Sequence, residues 1–187
     1  PGAIVANVPP GTGVMVMATD NVEVFDNRID KNQSSSVLVV SYFAVEKKIS
    51  DATFDPIPEH TSIHDNKISN GGFNPSGTIG ELLKPILGPK FPDIVWDGIT
   101  RPGNDQPPLS ILHNGEASFV NVKLDRLTPE NIAAGTYNPE TDASKFSTPF
   151  ESYPAVELGP HDPPSKVGPS AAKVYRSLPK KLSEFGL

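Results

Sequence analysis

The chain has 187 residues, no cysteine, 21 prolines, 15 glycines and a formal net charge of −6. The lack of cysteine excludes disulfides, thiolate metal sites, iron–sulfur clusters and covalently attached haem within this chain. The acidic balance argues against nucleic-acid binding, which needs a basic stripe, and no apolar run is long enough to span a membrane.

Strand-length apolar runs fill the first third of the chain. They cover residues 13–17, 21–29 and 37–42, and each is rich in β-branched side chains between Gly, Asn, Asp or Ser. This pattern predicts strands rather than helices. The run beginning at Val14 resembles the run beginning at Val37, a separation of roughly 23 residues that is usual for one turn of a solenoid.

A longer motif repeats as well. Val24 to Asp30 and Ile63 to Ser69 both contain an apolar residue, a variable one, Asp, Asn, a basic residue, Ile and a polar residue. We interpret the two motifs as successive coils stacked about 4.8 Å apart, separated by an insertion near residues 43–60. Asparagines at equivalent corners then predict an inward amide ladder, of Asn27, Asn66 and Asn114. Two ordinary surface turns are the simpler alternative.

The remaining elements follow in order. The pattern predicts a short helix over residues 79–87, interrupted at Pro85, and strands over 93–99, 109–114 and 117–122. From residue 128 onward prolines recur and apolar periodicity ends, which predicts an extended strap or linker. Spaced apolar residues over 171–187 suggest a docking segment.

Together these features predict an all-β fold, a short right-handed parallel β-helix with an extended proline-rich C-terminal tail. The coils occupy residues 1–127 and the tail residues 128–187. Because no capping element precedes the first coil, we expect upstream coils of the same precursor, or another chain, to cover that edge.

Residues from Gly11 to Asp125 resemble bacterial exported proteins of parallel β-helix repeats. The strings that begin at Val22, Ile63 and Pro92 carry the likeness, and the closing string from Leu178 is similar to a linker toward a companion family. Some members of that companion family carry haem-binding motifs. The resemblance implies a periplasmic or extracellular location and a haem-bearing partner reached through the tail, but no particular activity.

Candidate chemistry is concentrated at the repeated corners. Asp26 and Asp65 would stack on successive coils, where two close carboxylates could bind Ca²⁺ or act as an acid–base pair on a glycosidic bond. Solvated turn residues are the simpler interpretation. His64, beside Asp65, is a candidate proton-transfer group near neutral pH. The sequence contains no other metal-ligand spacing that stands out, and Ca²⁺ is the one cofactor that we consider for this chain.

Three further residues are candidate ligand contacts. Arg28 and Lys67 occupy matching repeat positions and could contact an acidic sugar, although a solvated ladder is the simpler interpretation. Trp96, the sole tryptophan, could stack on a sugar, but its apolar flanks also fit a core residue.

Three functions therefore remain open. The first is a structural or binding module of an exported assembly, with a polysaccharide as candidate ligand. The second is a segment of a polysaccharide lyase, hydrolase or epimerase with an acidic groove. The third is a scaffold for a haem-bearing partner.

Overall fold

The structure is a computed structural model that describes residues 8–45, 49, 51–104, 106–152 and 154. Internal contacts divide the chain into two units, Pro1–Ser152 and Tyr153–Leu187. Every element below belongs to the first unit. The docking segment predicted over residues 171–187 lies outside the described residues.

Short strands alternate with loops in the described part of the chain. The strands are β1 (Val14–Met17), β2 (Glu23–Phe25), β3 (Arg28–Asp30), β4 (Val37–Val40), β5 (Thr61–His64), β6 (Lys67–Ser69), β7 (Ile94–Trp96), β8 (Leu109–Leu112) and β9 (Phe119–Asn121). The α-helices are α1 (Gly77–Leu87) and α2 (Pro129–Ala133), and 3-10 helices cover Tyr42–Val45, Leu124–Arg126 and Ala143–Phe146.

All strand pairs are parallel and form three sheets. Sheet 1 has the order β1-β4-β7-β9, sheet 2 the order β2-β5-β8, and sheet 3 contains β3 and β6. The chain visits sheets 1, 2 and 3 in turn and then returns to sheet 1. Val14 lies opposite Val37 in the register, so the pairing predicted from the two similar runs is confirmed. Closure of the three sheets into a right-handed β-helix stays a prediction.

Two apolar clusters use opposite faces of sheet 1. The larger cluster draws side chains from all three sheets: Val16, Val24, Ile29, Val37, Val39, Ile63, Ile94, Trp96, Leu109, Ile111 and Phe119. The smaller one contains Leu38, Val40, Leu83, Phe91, Val95, Val120 and Val122. Because sheet 1 is covered on both faces, β4 is buried at all four residues and does not alternate between apolar and polar side chains.

Helix α1 covers the outer face of sheet 1. The helix predicted over residues 79–87 is confirmed, but it begins at Gly77 and runs past Pro85, so the predicted interruption is wrong. Leu83 is buried in the smaller cluster and Ile86 packs against it. A proline lacks the backbone donor that a helix interior uses, yet α1 continues beyond Pro85 to Leu87.

Residues 128–152, which we call the strap, belong to the first unit and pack on its strands. The Phe146 ring lies 5.4 Å from Trp96 and 5.2 Å from Phe119, edge to face in both cases. Asn121 and Glu140 exchange two backbone hydrogen bonds, of 2.8 and 3.0 Å. The two contact units meet after residue 152. The boundary between coils and tail that the sequence pattern places after residue 127 stays a prediction.

The sequence pattern predicts an extended strap or linker from residue 128 onward. The strap is not wholly extended, because it contains α2 and the 3-10 helix Ala143–Phe146. The start of α2 carries a signal that could have revealed it. Thr128 caps the helix by accepting a hydrogen bond from the Asn131 N–H, and Pro129 follows at the first helical position. Within the described residues, no helix is long and apolar enough to cross a membrane.

Candidate functional site

A left-handed residue followed by asparagine comes directly after each strand of sheet 2, and we call these positions the corners. Asp26, Asp65 and His113 have φ values of 52°, 53° and 52°. Short polar side chains tolerate this conformation better than most residues because they can hydrogen-bond locally. The left-handed backbone conformation is therefore enough to explain why the motif recurs, whatever chemistry the corner carries.

The asparagines that follow are hydrogen-bonded in series. The side-chain oxygen of Asn66 accepts from the backbone N–H and the amide nitrogen of Asn27, at 3.0 and 3.1 Å. The oxygen of Asn114 accepts the same two bonds from Asn66, at 3.2 and 2.9 Å. Asn66 also donates to the carbonyls of Val24 and His64. Since Asn66 and Asn114 are buried, their amides satisfy backbone groups that would otherwise lack partners.

The corners bring charged and aromatic side chains together outside sheet 2. We call Glu23, Phe25, His64, Asp65 and His113 the His64 cluster. His64 lies between two carboxylates, with Nε2 2.8 Å from Glu23 Oε1 and Nδ1 2.7 Å from Asp65 Oδ2. The other Asp65 oxygen is 3.4 Å from His113 Nδ1. The Phe25 ring stacks on His64 at 5.3 Å with an angle of 7° between the planes.

Strand register explains why these residues meet. Glu23 lies opposite Ser62 and Phe25 opposite His64, so the three members from β2 and β5 fall on the side of sheet 2 away from Val24 and Ile63. Because parallel strands keep equivalent residues adjacent, the cluster joins side chains that are far apart in sequence.

The two carboxylates set the protonation of His64. Partial burial opposes the charged imidazolium, but hydrogen bonds to Asp65 and Glu23 outweigh it and raise the pKa of His64 above its usual value. The same contact with His64 lowers the pKa of Asp65, assisted by the charge of His113. The cluster therefore holds an ionised Asp65 beside a histidine that favours its charged form.

The end of the strap forms one wall of an open depression beside the cluster. The depression has a volume of about 220 Å³ and is lined by Ser62, His64, Asp65, Leu112, His113, Phe150 and Ser152. The Phe150 ring stacks on His60 at 4.0 Å. A ligand on this surface would meet polar groups from two coils and one aromatic ring from the strap.

The structure brings only two of the predicted site residues into this cluster, His64 and Asp65. The strand pairs on either side put Asp26 opposite Asp65, and Asp26 is exposed. In the described ranges, however, no hydrogen bond or ion pair joins Asp26 to the cluster. Arg28 lies opposite Lys67 on sheet 3, where both side chains are exposed.

Trp96 is 3% exposed within the larger apolar cluster. It therefore offers no open ring face, and the interpretation as a sugar-stacking platform is wrong. The core alternative describes its position.

Three carboxylates converge elsewhere, at Asp20, Asp55 and Glu59, with oxygens within 4.8 Å of one another. Arg101 forms ion pairs with Asp55 and Glu59 and supplies positive charge to the group. Exposed acidic groups of this kind are common without a metal. Ca²⁺ binding, predicted for the Asp26 and Asp65 corners, stays a prediction.

Three members of the cluster are not among the predicted site residues: Glu23, Phe25 and His113. Phe25, with 53% of its surface exposed, lies inside an apolar run that gives no sign of an outward ring. His113 had a usable signal, because it precedes Asn114 as Asp26 and Asp65 precede their asparagines. Extending the corner motif to a third coil would have found it.

Comparison of the chain with protein families, curated proteins and solved structures finds no match.

Proposed function

We propose that this chain is a non-catalytic binding module, a short right-handed parallel β-helix that binds a neutral, hydroxyl-rich glycan on the outer side of sheet 2. Parallel pairing throughout, the repeated visiting order of the sheets and the asparagine ladder support the β-helix. Such a stack gives a rigid wall on which side chains from successive coils keep fixed spacings.

The stack of Phe25 on His64 carries the glycan proposal. Phe25 offers an exposed apolar ring, and carboxylates of Glu23 and Asp65 lie on either side of the histidine. A sugar presents an apolar ring face and hydroxyl donors at its edge, so it complements an aromatic ring flanked by carboxylate acceptors. The net charge of −6 favours a neutral sugar over an acidic one.

The same contacts argue against acid–base catalysis. Glycoside hydrolysis by two carboxyl groups needs one of them held as a proton donor by a raised pKa. The pKa of Asp65 is lowered instead, and both ring nitrogens of His64 are hydrogen-bonded to carboxylates. Binding therefore fits the cluster better than the lyase, hydrolase or epimerase alternative.

The wider setting of the module is also a proposal. The resemblance to exported β-helix repeat proteins supports a periplasmic or extracellular location. It also supports a haem-bearing companion protein as a partner, reached through the C-terminal tail. In that assembly this chain is a scaffold, since it has no cysteine to hold covalent haem.

Calorimetric titration with soluble oligosaccharides of neutral hexoses tests the binding proposal. Phe25→Ala should weaken binding roughly fivefold, because aromatic contacts contribute about 1 kcal/mol. Phe73→Ala is the matched control, since Phe73 is 54% exposed and lies outside the cluster. Equal affinity in the wild type and Phe25→Ala would contradict the proposal. So would depolymerisation of an acidic polysaccharide that Asp26→Asn abolishes, which would establish the enzymatic alternative.

A further inference from the structure

A polar depression of about 650 Å³ lies between the strap and the residues that follow β9. It is lined by three residues from each of these segments: Lys123, Asp125, Arg126, Asn131, Thr136 and Asn138. Sites for small molecules usually have volumes of roughly 300–1,000 Å³. None of the six residues belongs to the His64 cluster, and every one of them is polar, so the depression is a separate candidate site for a polar ligand.

Two hydrogen bonds hold the strap against the other wall of the depression. The Tyr137 hydroxyl donates to the Val122 carbonyl at 2.6 Å, and the Asn131 side-chain amide donates to the Arg126 carbonyl at 2.8 Å. Val122 and Arg126 both lie in the segment after β9. Because walls that are already fixed lose little freedom when a ligand binds, these contacts favour recognition of a small molecule.

The positive charge of Lys123 is only weakly balanced within the protein. Its ammonium group donates to the Asn138 carbonyl, a neutral acceptor, at 2.9 Å. No carboxylate of the described ranges lies within ion-pair distance of it. The charge of Lys123 contributes to a lowered pKa of Glu140, but the main cause of that lowering is the hydrogen bond from Lys145. An anion in the depression would therefore supply the countercharge that Lys123 lacks.

The guanidinium group of Arg126 is available for the same ligand. Its Nε atom lies 3.7 Å from Asp125 Oδ2, beyond hydrogen-bond distance, and the side chain is 73% exposed. In the part of the chain that the structure describes, no hydrogen bond reaches this guanidinium. The Arg126 backbone N–H donates to the Lys123 carbonyl at 2.8 Å, so a tight turn brings both cations to one wall. A guanidinium presents a planar fork of donors that matches a carboxylate.

Neutral groups in the depression suit the hydroxyl groups of a ligand. The side-chain amide of Asn138 has no hydrogen-bond partner among the described residues. The Thr136 hydroxyl donates to Asn131 at 3.3 Å and keeps its lone pairs as acceptors. Donors and acceptors are thus both available beside the two cations.

The local charge distinguishes between classes of anion. The formal net charge of the chain is −6, but two cations and the Asp125 carboxylate give the lining of the depression a net charge of +1. A monoanion balances that charge. A phosphate dianion would exceed it and would be repelled by Asp125.

We infer that this depression is a binding site for a small hydroxy-carboxylate, whose carboxylate meets Arg126 and Lys123 and whose hydroxyl groups meet Asn138 and Thr136. The site is separate from the outer side of sheet 2, and the inference does not rest on glycan binding.

A nuclear magnetic resonance titration of the full chain with sodium D-gluconate, a polyhydroxy monoanion, tests this site. We expect saturable shifts of the backbone amide signals of Lys123, Arg126 and Thr136, with a dissociation constant of about 1–5 mM at low ionic strength. Arg126→Gln should weaken binding at least about tenfold, because it removes a charge-assisted pair. Lys123→Gln should also weaken it, by about fivefold.

Arg28→Gln is the matched control. It removes the same charge from an exposed position on sheet 3, outside the depression, and should change the dissociation constant by less than about twofold. Three further probes separate the parts of the ligand. Glucose has hydroxyl groups without the charge, acetate has the charge without the hydroxyl groups, and both should bind at least about fivefold more weakly than gluconate. Inorganic phosphate should also bind more weakly.

Each other result overturns a stated part of the inference. The absence of saturable shifts up to about 50 mM gluconate would overturn the site. Equal effects of Arg28→Gln and Arg126→Gln would overturn its location, since binding would then follow the overall charge. Acetate or glucose as tight as gluconate would overturn the hydroxy-carboxylate class, and tighter binding of phosphate would overturn the monoanion. A failure of glycan binding at Phe25 would leave all these readouts unchanged.

Discussion

Replacing Asn66 by alanine is expected to destabilise the protein more than any other single change in the ladder. The side chain is 3% exposed and is hydrogen-bonded to both Asn27 and Asn114, which follow strands β2 and β8. Its loss leaves the carbonyls of Val24 and His64 without their amide donor and the Asn27 N–H without an acceptor. A buried polar group without a partner costs about 1–3 kcal/mol. Because Asn27 is exposed and water can reach its N–H, we expect a total of about 3–5 kcal/mol.

Urea unfolding followed by circular dichroism measures this loss as a change in the free energy of unfolding. Asn27→Ala is the control, since it removes a similar amide from an exposed ladder position and should cost about 1 kcal/mol or less. If Asn66→Ala and Asn27→Ala differ by less than about 1 kcal/mol, the ladder does not satisfy the backbone as argued, and the corners are ordinary surface turns.

Three more predictions concern the corner, the histidine and a buried carboxyl group. Asp26→Val should cost about 1–2 kcal/mol in urea unfolding and Asp26→Gly almost nothing, because φ is 52° there; equal costs would contradict this. The pKa of His64 in the folded protein is raised above 6.5. The stability that its pairing with Glu23 and Asp65 adds is therefore complete below pH 6.5 and is lost as pH rises through the folded pKa. His64→Gln should thus cost more near pH 5.5 than near pH 9, and a gap independent of pH would refute the charged pairing. Asp97→Ala should cost about 2–3 kcal/mol, since Asp97 accepts from the Ser41 and Ile99 N–H groups. Burial raises the pKa of Asp97, so the folded protein gains stability from protonating this group as pH falls. Urea unfolding at several pH values should therefore show that the cost of Asp97→Ala grows as pH falls toward about 4.

The repeated motifs were sufficient to predict the pairing of β1 with β4, of β2 with β5 and of β3 with β6. Two runs of β-branched residues predicted the pairing of Val14 with Val37, and the second motif aligned Asn27 with Asn66. Strands that stack in register need similar residue types at equivalent positions, so their stacking appears in the sequence as a repeat. Local periodicity also predicted α1, whose apolar side chains recur on one face.

Contacts that occur only once in the structure produce no repeat and could not be predicted from the sequence. Nothing in the sequence around Trp96 distinguishes an exposed platform from a core residue, because side chains that pack with it, such as Ile63 and Phe146, lie far away in the sequence. The strap itself has no apolar period, since isolated residues such as Phe146 hold it, together with the Tyr137 hydroxyl donating to the Val122 carbonyl at 2.6 Å. Single anchors of this kind are recognisable only once the surface they meet is known.

The corner motif allows a different exposed side chain after each strand of sheet 2. The asparagine is buried where it satisfies neighbouring coils, as at Asn66 and Asn114, while the left-handed residue before it is exposed. The left-handed position is occupied by Asp26, Asp65 and His113 in turn. Its side chain therefore varies, while φ stays within one degree. Substitutions at this position that keep a short polar side chain should therefore alter ligand preference and leave the ladder intact. Asp65 and His113 lie close together at two of these positions, and within the described ranges no such pair occurs at Asp26, which fits a proposed binding surface centred on His64.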